Sequence, residues 1–207
     1  NSMMTDLQQP VMPSLPDDVA VTHDHLLDKQ VQITQPKTGY RVGSDAVLAA
    51  ASLTARRGRV LDLGAGVGGI SLCIAHRLQS LQITAVEIDT TAAALARYNA
   101  AVNGLHQRIR VVEADITAMP AVMAGSFDHV VSNPPYHHKA GTRPRHAARA
   151  MAHMGADTDL RDWVKAAVWA AKPRGRISFI CRADRAAELI TMFDAAGAGE
   201  TVLFPFW

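Results

Sequence analysis

Residues 60–69 read Val60-Leu-Asp-Leu-Gly64-Ala-Gly66-Val-Gly68-Gly69, and this stretch decides the fold class of the chain. Its apolar half is typical of a buried strand, and its glycine half is typical of a tight turn that opens a helix. Glycines in such a turn let the backbone approach a ligand closely. The stretch therefore predicts a ligand-binding loop at the carboxyl end of a strand.

The glycine loop alone leaves two cofactors open, because Gly64, Gly66 and Gly69 also satisfy the G-x-G-x-x-G spacing of dinucleotide-binding folds. Asp62 favours one of the two. A carboxylate here would repel a pyrophosphate, but it would attract the ammonium group of an amino-acid-bearing cofactor such as S-adenosylmethionine. No Tyr-x-x-x-Lys or comparable proton-donor arrangement follows at a plausible position, which disfavours a nicotinamide dehydrogenase.

The chain alternates short β-rich runs with helical stretches rich in Ala and Leu. This alternation predicts an α/β fold with a mostly parallel sheet and helices on both faces. The predicted strands are Val60 to Leu63, Ile83 to Glu87, Ile109 to Val112, His129 to Ser132, Arg176 to Cys181 and a run near Thr201 to Phe204. The predicted helices are Asp45 to Leu53, capped by Ser44 and Asp45, then Gly69 to Leu78, Thr91 to Val102, Leu160 to Ala171 and Arg185 to Ala196.

A length of 207 residues, of which 48% are hydrophobic, suits one core and one domain. We expect that domain to span residues 23–207. Residues 1–22 are predicted to be a flexible lead-in, since Pro10, Pro13 and Pro16 interrupt it. Asn1 and Ser2 precede two methionines and are typical of an expression-tag remnant.

The formal net charge is only +2, so any nucleic-acid site must come from a local basic patch. No apolar run approaches the roughly 18 residues of a membrane span, and no signal peptide is recognisable. Cys73 and Cys181 fall in a predicted helix and a predicted strand that are both expected to be buried, which favours reduced core thiols over a disulfide. We therefore expect a cytoplasmic protein.

Two acidic residues follow the next predicted strands. Glu87 lies about 20 residues beyond the glycine loop, where a carboxylate can accept hydrogen bonds from both ribose hydroxyls of a nucleoside cofactor. Asp115 could accept a bond from the adenine amino group, with Ile116 flanking the ring, or could simply cap a turn. Asp89 is predicted to be a helix cap.

Residues 127–136 form an apolar strand that ends in Asn133-Pro134-Pro135-Tyr136. Ligand sites in parallel sheets lie at such strand ends. An exocyclic amine on a purine is a poor nucleophile because its lone pair is delocalised into the ring, so methyl transfer needs acceptors that hold its protons out of the ring plane. The Asn133 side chain and the Pro134 carbonyl can accept those protons, the prolines fix the local backbone, and Tyr136 offers an aromatic face to a base.

An Asn-Pro-Pro-Tyr motif behind a D-x-G-x-G-x-G loop resembles the amino-group methyltransferases that act on adenine N6 or on glutamine N5. Residues 35–48, Gln35-Pro-Lys-Thr-Gly-Tyr40-Arg41-Val-Gly-Ser-Asp45-Ala-Val-Leu, resemble the stretch before that loop in the bacterial tRNA adenine-N6 methyltransferases that modify valine tRNA. The similarity covers the chain from about Asp24. It implies a Rossmann-like class I S-adenosylmethionine-dependent methyltransferase fold.

The same resemblance implies the cofactor-binding residues, which would be Gly64, Ala65, Gly66, Glu87, Ile88, Asp115, Ile116 and Asn133. It places Tyr40 or Arg41 near the methionine end of the cofactor. The class usually finishes with a strand hairpin whose last strand inserts antiparallel into the sheet. Because the sequence stops at Phe204-Pro-Phe-Trp207, we expect this final strand to be missing.

A basic segment follows Tyr136 and is expected to grip RNA phosphates through Lys139, Arg143, Arg145 and Arg149. Four histidines fall within it and just beyond, but no Cys or carboxylate accompanies them at ligand spacing, so we expect no metal. Trp163 and Trp169 lie at helical spacing and are expected to pack in the core or an interface.

The leading hypothesis from sequence is methylation of the exocyclic N6 amine of adenine in RNA, most simply tRNA. The nearest alternative is the glutamine side chain of a release factor, although the enzymes of that kind carry an N-terminal helical domain that is not recognisable here. Guanine N2 and DNA adenine are further acceptors. A different class of hypothesis is a protein that only binds S-adenosylmethionine, or an RNA-binding subunit, and the intact Asn133 to Tyr136 motif argues against it.

Overall fold

The computed structural model describes residues 12–135 and 159–206. Its centre is a five-stranded sheet in the order β5-β4-β3-β6-β7, in which every neighbouring pair is parallel. The strands are β3 (Gly58–Leu63), β4 (Leu81–Glu87), β5 (Ile109–Glu113), β6 (Phe127–Ser132) and β7 (Ala171–Phe179). The predicted α/β architecture is confirmed.

The helices of the described residues cover both faces of this sheet. They are α1 (Ser44–Ala51), α2 (Gly69–Arg77), α3 (Thr90–Val102), α4 (Leu160–Ala170) and α5 (Ala186–Ala195). Successive side chains of β3 lie on opposite faces of the sheet, as the two-residue period of a strand requires. Val60 joins the core shared with α1, α2 and α3, whereas Leu61 and Leu63 join the core shared with α4. None of the described helices is long and apolar enough to cross a membrane.

An antiparallel hairpin of β1 (Val21–Leu26) and β2 (Val31–Pro36) forms a second, separate sheet, which the sequence reading did not predict. Two side chains of α3 dock β2 by acting as strand partners. The amide of Asn99 bonds to both the N–H and the carbonyl of Thr34, and the amide of Asn103 bonds in the same way to Gln32. Asn99 also donates to the Val67 carbonyl at 2.9 Å, so it ties the hairpin to the glycine loop.

Three local predictions were wrong. Residues 201–204 form no strand, because Val202, Leu203 and Phe204 are exposed and pair with no described neighbour. Ser44 and Asp45 do not cap α1, whose N-cap is Gly43 without a side-chain bond. β7 ends at Phe179, so Cys181 lies beyond it and is only half-buried, unlike the fully buried Cys73. Trp163 is buried in the core as predicted, whereas Trp169 is 41% exposed, so its packing in an interface stays a prediction.

The two asparagines of α3 give a matched test of how the hairpin is held. Asn99 is fully buried, so Asn99→Ala leaves the Thr34 backbone groups and the Val67 carbonyl without partners or access to water. We expect a loss of about 2 to 4 kcal/mol in the free energy of unfolding, measured by urea denaturation. Asn103→Ala opens its partners to solvent and should cost about 1 kcal/mol or less. Equal losses would contradict this account of the docking.

Candidate functional site

The carboxyl ends of β5, β4, β3 and β6 lie side by side along one edge of the sheet. Each strand delivers one predicted site residue at or just beyond this edge: Asp115 after β5, Glu87 at the end of β4, Asp62 near the end of β3 and Asn133 after β6. Four neighbouring strands span about 14 Å at ordinary strand spacing. The edge therefore presents an extended row of polar groups, as a long ligand would require.

The glycine loop lies in the middle of this row and has the left-handed backbone that glycine tolerates. Gly64 has φ of +71° and Gly66 has φ of +57°. A Cβ on Gly64 would clash with the Trp163 ring, so packing also requires glycine there. A Cβ on Gly66 would meet nothing within 4 Å, which leaves open space beside the loop where a ligand can approach.

Glu87 joins the glycine loop to the next strand. Its side chain is only 4% exposed, and its two carboxylate oxygens accept backbone hydrogen bonds from Gly66 at 2.7 Å and from Asp89 at 2.9 Å. Burial raises the pKa of Glu87, and backbone hydrogen bonds from Asp89, Gly66 and Ile88 act in the opposite direction. A carboxylate has about four acceptor sites, so Glu87 can still accept a hydrogen bond from a hydroxyl of a ligand. Asp89 itself caps α3 by accepting from the Ala92 N–H, as predicted.

Asp62 is fully buried and only half satisfied. Its Oδ2 accepts from the Ser71 N–H at 3.0 Å and from the Ser71 hydroxyl at 2.7 Å, whereas Oδ1 has no partner among the described residues. Burial, with a smaller contribution from the nearby Glu87, raises the pKa of Asp62 to about 7, against the two bonds from Ser71. An orphaned carboxylate oxygen is costly in a dry interior, so the site fits a cationic or hydrogen-bond-donating group.

Asp115 and Ile116 lie at the outer end of the row. Asp115 caps a short 3-10 helix by accepting from the N–H and the hydroxyl of Thr117 through Oδ1. The capping role predicted as an alternative is therefore present, and a role toward a purine stays a prediction. Ile116 packs into the sheet core at 8% exposure, and Ile88 is half-buried beside Glu87.

Asn133 forms a cluster with two residues from the segment before α1. Its amide nitrogen donates to the Asp45 carboxylate at 2.7 Å and to the Tyr40 hydroxyl at 2.9 Å. The structure thus brings Tyr40 to Asn133. The Arg41 guanidinium instead bonds to Asp24, Thr22 and the Pro36 carbonyl on the hairpin, so its expected place near the cofactor stays a prediction.

Asp45 is the site residue that sequence reasoning missed, since it was interpreted as a helix cap. One signal could have found it: Asp45 is the only acidic residue between Asp28 and Asp62. Pro134 is buried directly after Asn133. Tyr136, the basic residues Lys139, Arg143, Arg145 and Arg149, and the four histidines weighed as metal ligands lie outside the described residues.

A parallel sheet in this strand order, with a glycine loop after one strand, an acid at the end of the next and an amide after a third, defines the Rossmann-like methyltransferase class. The model of the methyltransferase small domain family matches residues 39–162. The chain therefore belongs to the methyltransferase small domain family, and it is an S-adenosylmethionine-dependent N-methyltransferase.

Curated relatives agree with this assignment. The chain is similar to the tRNA1(Val) (adenine(37)-N6)-methyltransferase of Aeromonas hydrophila, with 37% identity over 165 residues that cover 78% of this chain and 68% of the relative.

Two solved structures share the fold. A predicted O-methyltransferase of Agrobacterium tumefaciens has 28% identity and a TM-score of 0.56 over 72% of this chain and 66% of that chain. TrmN of Thermus thermophilus has 26% identity and a TM-score of 0.52 over 71% of this chain and 40% of that chain.

Asp62 gives a pH-dependent test of the site. Its pKa is higher in the folded protein than in the unfolded chain, so its ionisation penalises the folded state as pH rises from about 4 to 7. We expect the free energy of unfolding of the wild type, relative to Asp62→Asn, to fall by a few kcal/mol over that range. Denaturation of both proteins at a series of pH values measures this difference.

The comparison with Asp62→Asn is needed because other buried groups titrate in the same range. Burial lowers the pKa of His129 to about 4, which makes the fold lose stability as pH falls below 6.5. His129 is common to both proteins, so its contribution cancels. Glu87 is electrostatically coupled to Asp62, and the repulsion between the two ionised carboxylates adds to the fall in the wild type alone. A difference that is independent of pH would show that Asp62 is ionised throughout.

Proposed function

We propose that this enzyme transfers a methyl group to the exocyclic N6 amine of adenine in tRNA. The single observation that carries the proposal is the place of Asn133: it follows β6 at the carboxyl edge, beside the glycine loop, with the buried Pro134 directly after it. The name of the Aeromonas relative suggests the particular acceptor, adenine 37 of tRNA1(Val).

Asn133 and Pro134 would prepare the acceptor amine. The amide oxygen of Asn133 and the backbone carbonyl of Pro134 would each accept one proton of the amine, which draws its lone pair out of conjugation with the ring. Pro134 and Pro135 fix their own φ angles, so the carbonyl is held in place before the base arrives. Positioning of this kind can supply most of the rate enhancement, and no general base is needed.

The row of residues along the sheet edge would hold the cofactor. Glu87 would accept hydrogen bonds from its ribose hydroxyls, Asp115 and Ile116 would meet its adenine, and Asp62 would face its ammonium group directly or through water. Gly64, Ala65 and Gly66 would let it lie against the backbone, with Ile88 beside it. When bound, S-adenosylmethionine supplies an electrophilic methyl on a sulfonium. The orphaned Oδ1 of Asp62 supports this fit.

The RNA side of the proposal rests on sequence. Tyr136 would offer a face on which the target base stacks, and Lys139, Arg143, Arg145 and Arg149 would contact phosphates. A tRNA substrate implies that the enzyme works in the cytoplasm.

The function is tested by incubating the purified chain and labelled S-adenosylmethionine with total tRNA from a strain that lacks the gene. The product is digested to nucleosides and analysed by mass spectrometry. We expect labelled N6-methyladenosine. Labelled N2-methylguanosine would name a different base, and transfer only to a release factor would move the acceptor to a glutamine side chain; either result contradicts the proposal.

Asn133→Ala separates transfer from cofactor binding. Because Asn133 would act on the acceptor amine, we expect the variant to lose at least about 1000-fold in kcat. Its calorimetric Kd for S-adenosylmethionine should change by no more than about threefold. Asn103→Ala, the same substitution on α3, is the control and should keep normal transfer. Collapse of cofactor binding in Asn133→Ala would make the residue structural.

A further inference from the structure

Three polar groups close a hydrogen-bonded triangle beside the proposed transfer site. The Asn133 Nδ2 donates to Asp45 Oδ2 at 2.7 Å and to the Tyr40 hydroxyl at 2.9 Å, and that hydroxyl donates to the same Asp45 oxygen at 2.8 Å. Asp45 therefore accepts from both other members. Asp45 and Asn133 are half-buried, whereas the Tyr40 ring is 66% exposed.

The triangle determines which end of the Asn133 amide faces which side. An amide has two nearly isosteric orientations that exchange oxygen for NH2. An ionised carboxylate can only accept hydrogen bonds, so the NH2 end must face Asp45. In the flipped orientation the amide oxygen would meet a carboxylate oxygen at hydrogen-bond distance, with repulsion in place of two donated bonds. The carbonyl end of the amide is then the end that lies away from Asp45.

We propose that Asp45 is a positioning residue for methyl transfer, which locks Asn133 with its carbonyl oxygen, and not its NH2, toward the acceptor amine. This inference rests on the proposed function, because an exocyclic amine needs an acceptor there. A flipped Asn133 would offer two more protons to a group that already carries two, and transfer would stop. Asp45 acts through Asn133 and does not touch the reacting atoms.

Neighbouring contacts hold Asp45 and Tyr40 in place for this role. The second carboxylate oxygen of Asp45 accepts from the Ala46 N–H at 3.0 Å, which leaves Oδ2 for the triangle. The segment that carries Tyr40 is attached to the hairpin, because the Val42 N–H donates to the buried Gln35 side chain at 2.9 Å. The Gln35 amide in turn donates to Asp24, which also binds Arg41.

Kinetics of Asp45 variants test the role. Asp45→Ala removes the carboxylate, so kcat should fall at least about tenfold while the Kd for S-adenosylmethionine and the KM for tRNA change less than about threefold. Asp45→Asn keeps an oxygen that can accept from Asn133 and should recover much of that loss. Asp194→Ala removes an exposed acid from α5 and is the control. Unchanged kcat in Asp45→Ala, or equal losses in the Ala and Asn variants, would overturn the proposal.

Nuclear magnetic resonance of the Asn133 side-chain NH2 tests the same orientation without any acceptor. In the wild type both protons are hydrogen-bonded, so their exchange with water should be at least about tenfold slower than in Asp45→Ala. The Asn133→Ala spectrum assigns the pair of signals. Equal exchange rates would overturn the proposal even if kcat falls.

The role of Asp45 can still be decided if a variant does not fold or if tRNA is not methylated. If Asp45→Ala does not fold, Asp45→Ser replaces it, because serine suits the start of a helix but is too short to reach the Asn133 amide. If the wild type methylates no tRNA, the proposed function fails, while the amide exchange rates still decide the role of Asp45.

Discussion

The site depends on one buried carboxylate that accepts from the backbone of two different loops. Glu87 bonds to Gly66 in the glycine loop and to Asp89 at the start of α3, and it is almost completely enclosed. Because each bond fixes an N–H that would otherwise be free to rotate with its loop, the carboxylate holds the two loops at one separation. Asn99 also holds the glycine loop, because its amide donates a hydrogen bond to the Val67 carbonyl. These contacts hold the glycine loop and the start of α3 together along the proposed cofactor edge.

Much of the fold could be predicted because its signals are local. Ten consecutive residues, 60–69, predict the strand and the turn, and short apolar runs predict the other strands of the sheet. The β1-β2 hairpin is not legible in this way. It is held by Asn99 and Asn103, which lie 65 and 71 residues from their partners Thr34 and Gln32. The apolar run at residues 201–204 misled, since a strand needs an edge to pair with and the run is exposed.

The candidate site also has residues that local sequence predicts and a residue whose role depends on a contact distant in sequence. Asp62, Glu87, Asp115 and Asn133 could be found from sequence because parallel strands bring their carboxyl ends together, and each residue ends or follows a strand. Asp45 could not, because its role comes from a contact with Asn133 across 88 residues. Its position at the start of α1 indicated a cap, which is a common role for aspartate there. Arg41 is the opposite case. The sequence predicts it near the cofactor, whereas its guanidinium bonds to the hairpin.

The affinity of Glu87→Gln for S-adenosylmethionine tests most directly whether Glu87 organises the cofactor site. Glutamine keeps the shape but has one acceptor oxygen, so it cannot serve both backbone donors and the ribose. The matched control is Glu113→Gln. Glu113 is the β5 residue paired with Glu87, and in the described part of the chain its side chain bonds to Arg97 at the surface. Calorimetry should show Kd weakened at least about tenfold in Glu87→Gln and unchanged in Glu113→Gln. Equal affinity in both variants would contradict the account.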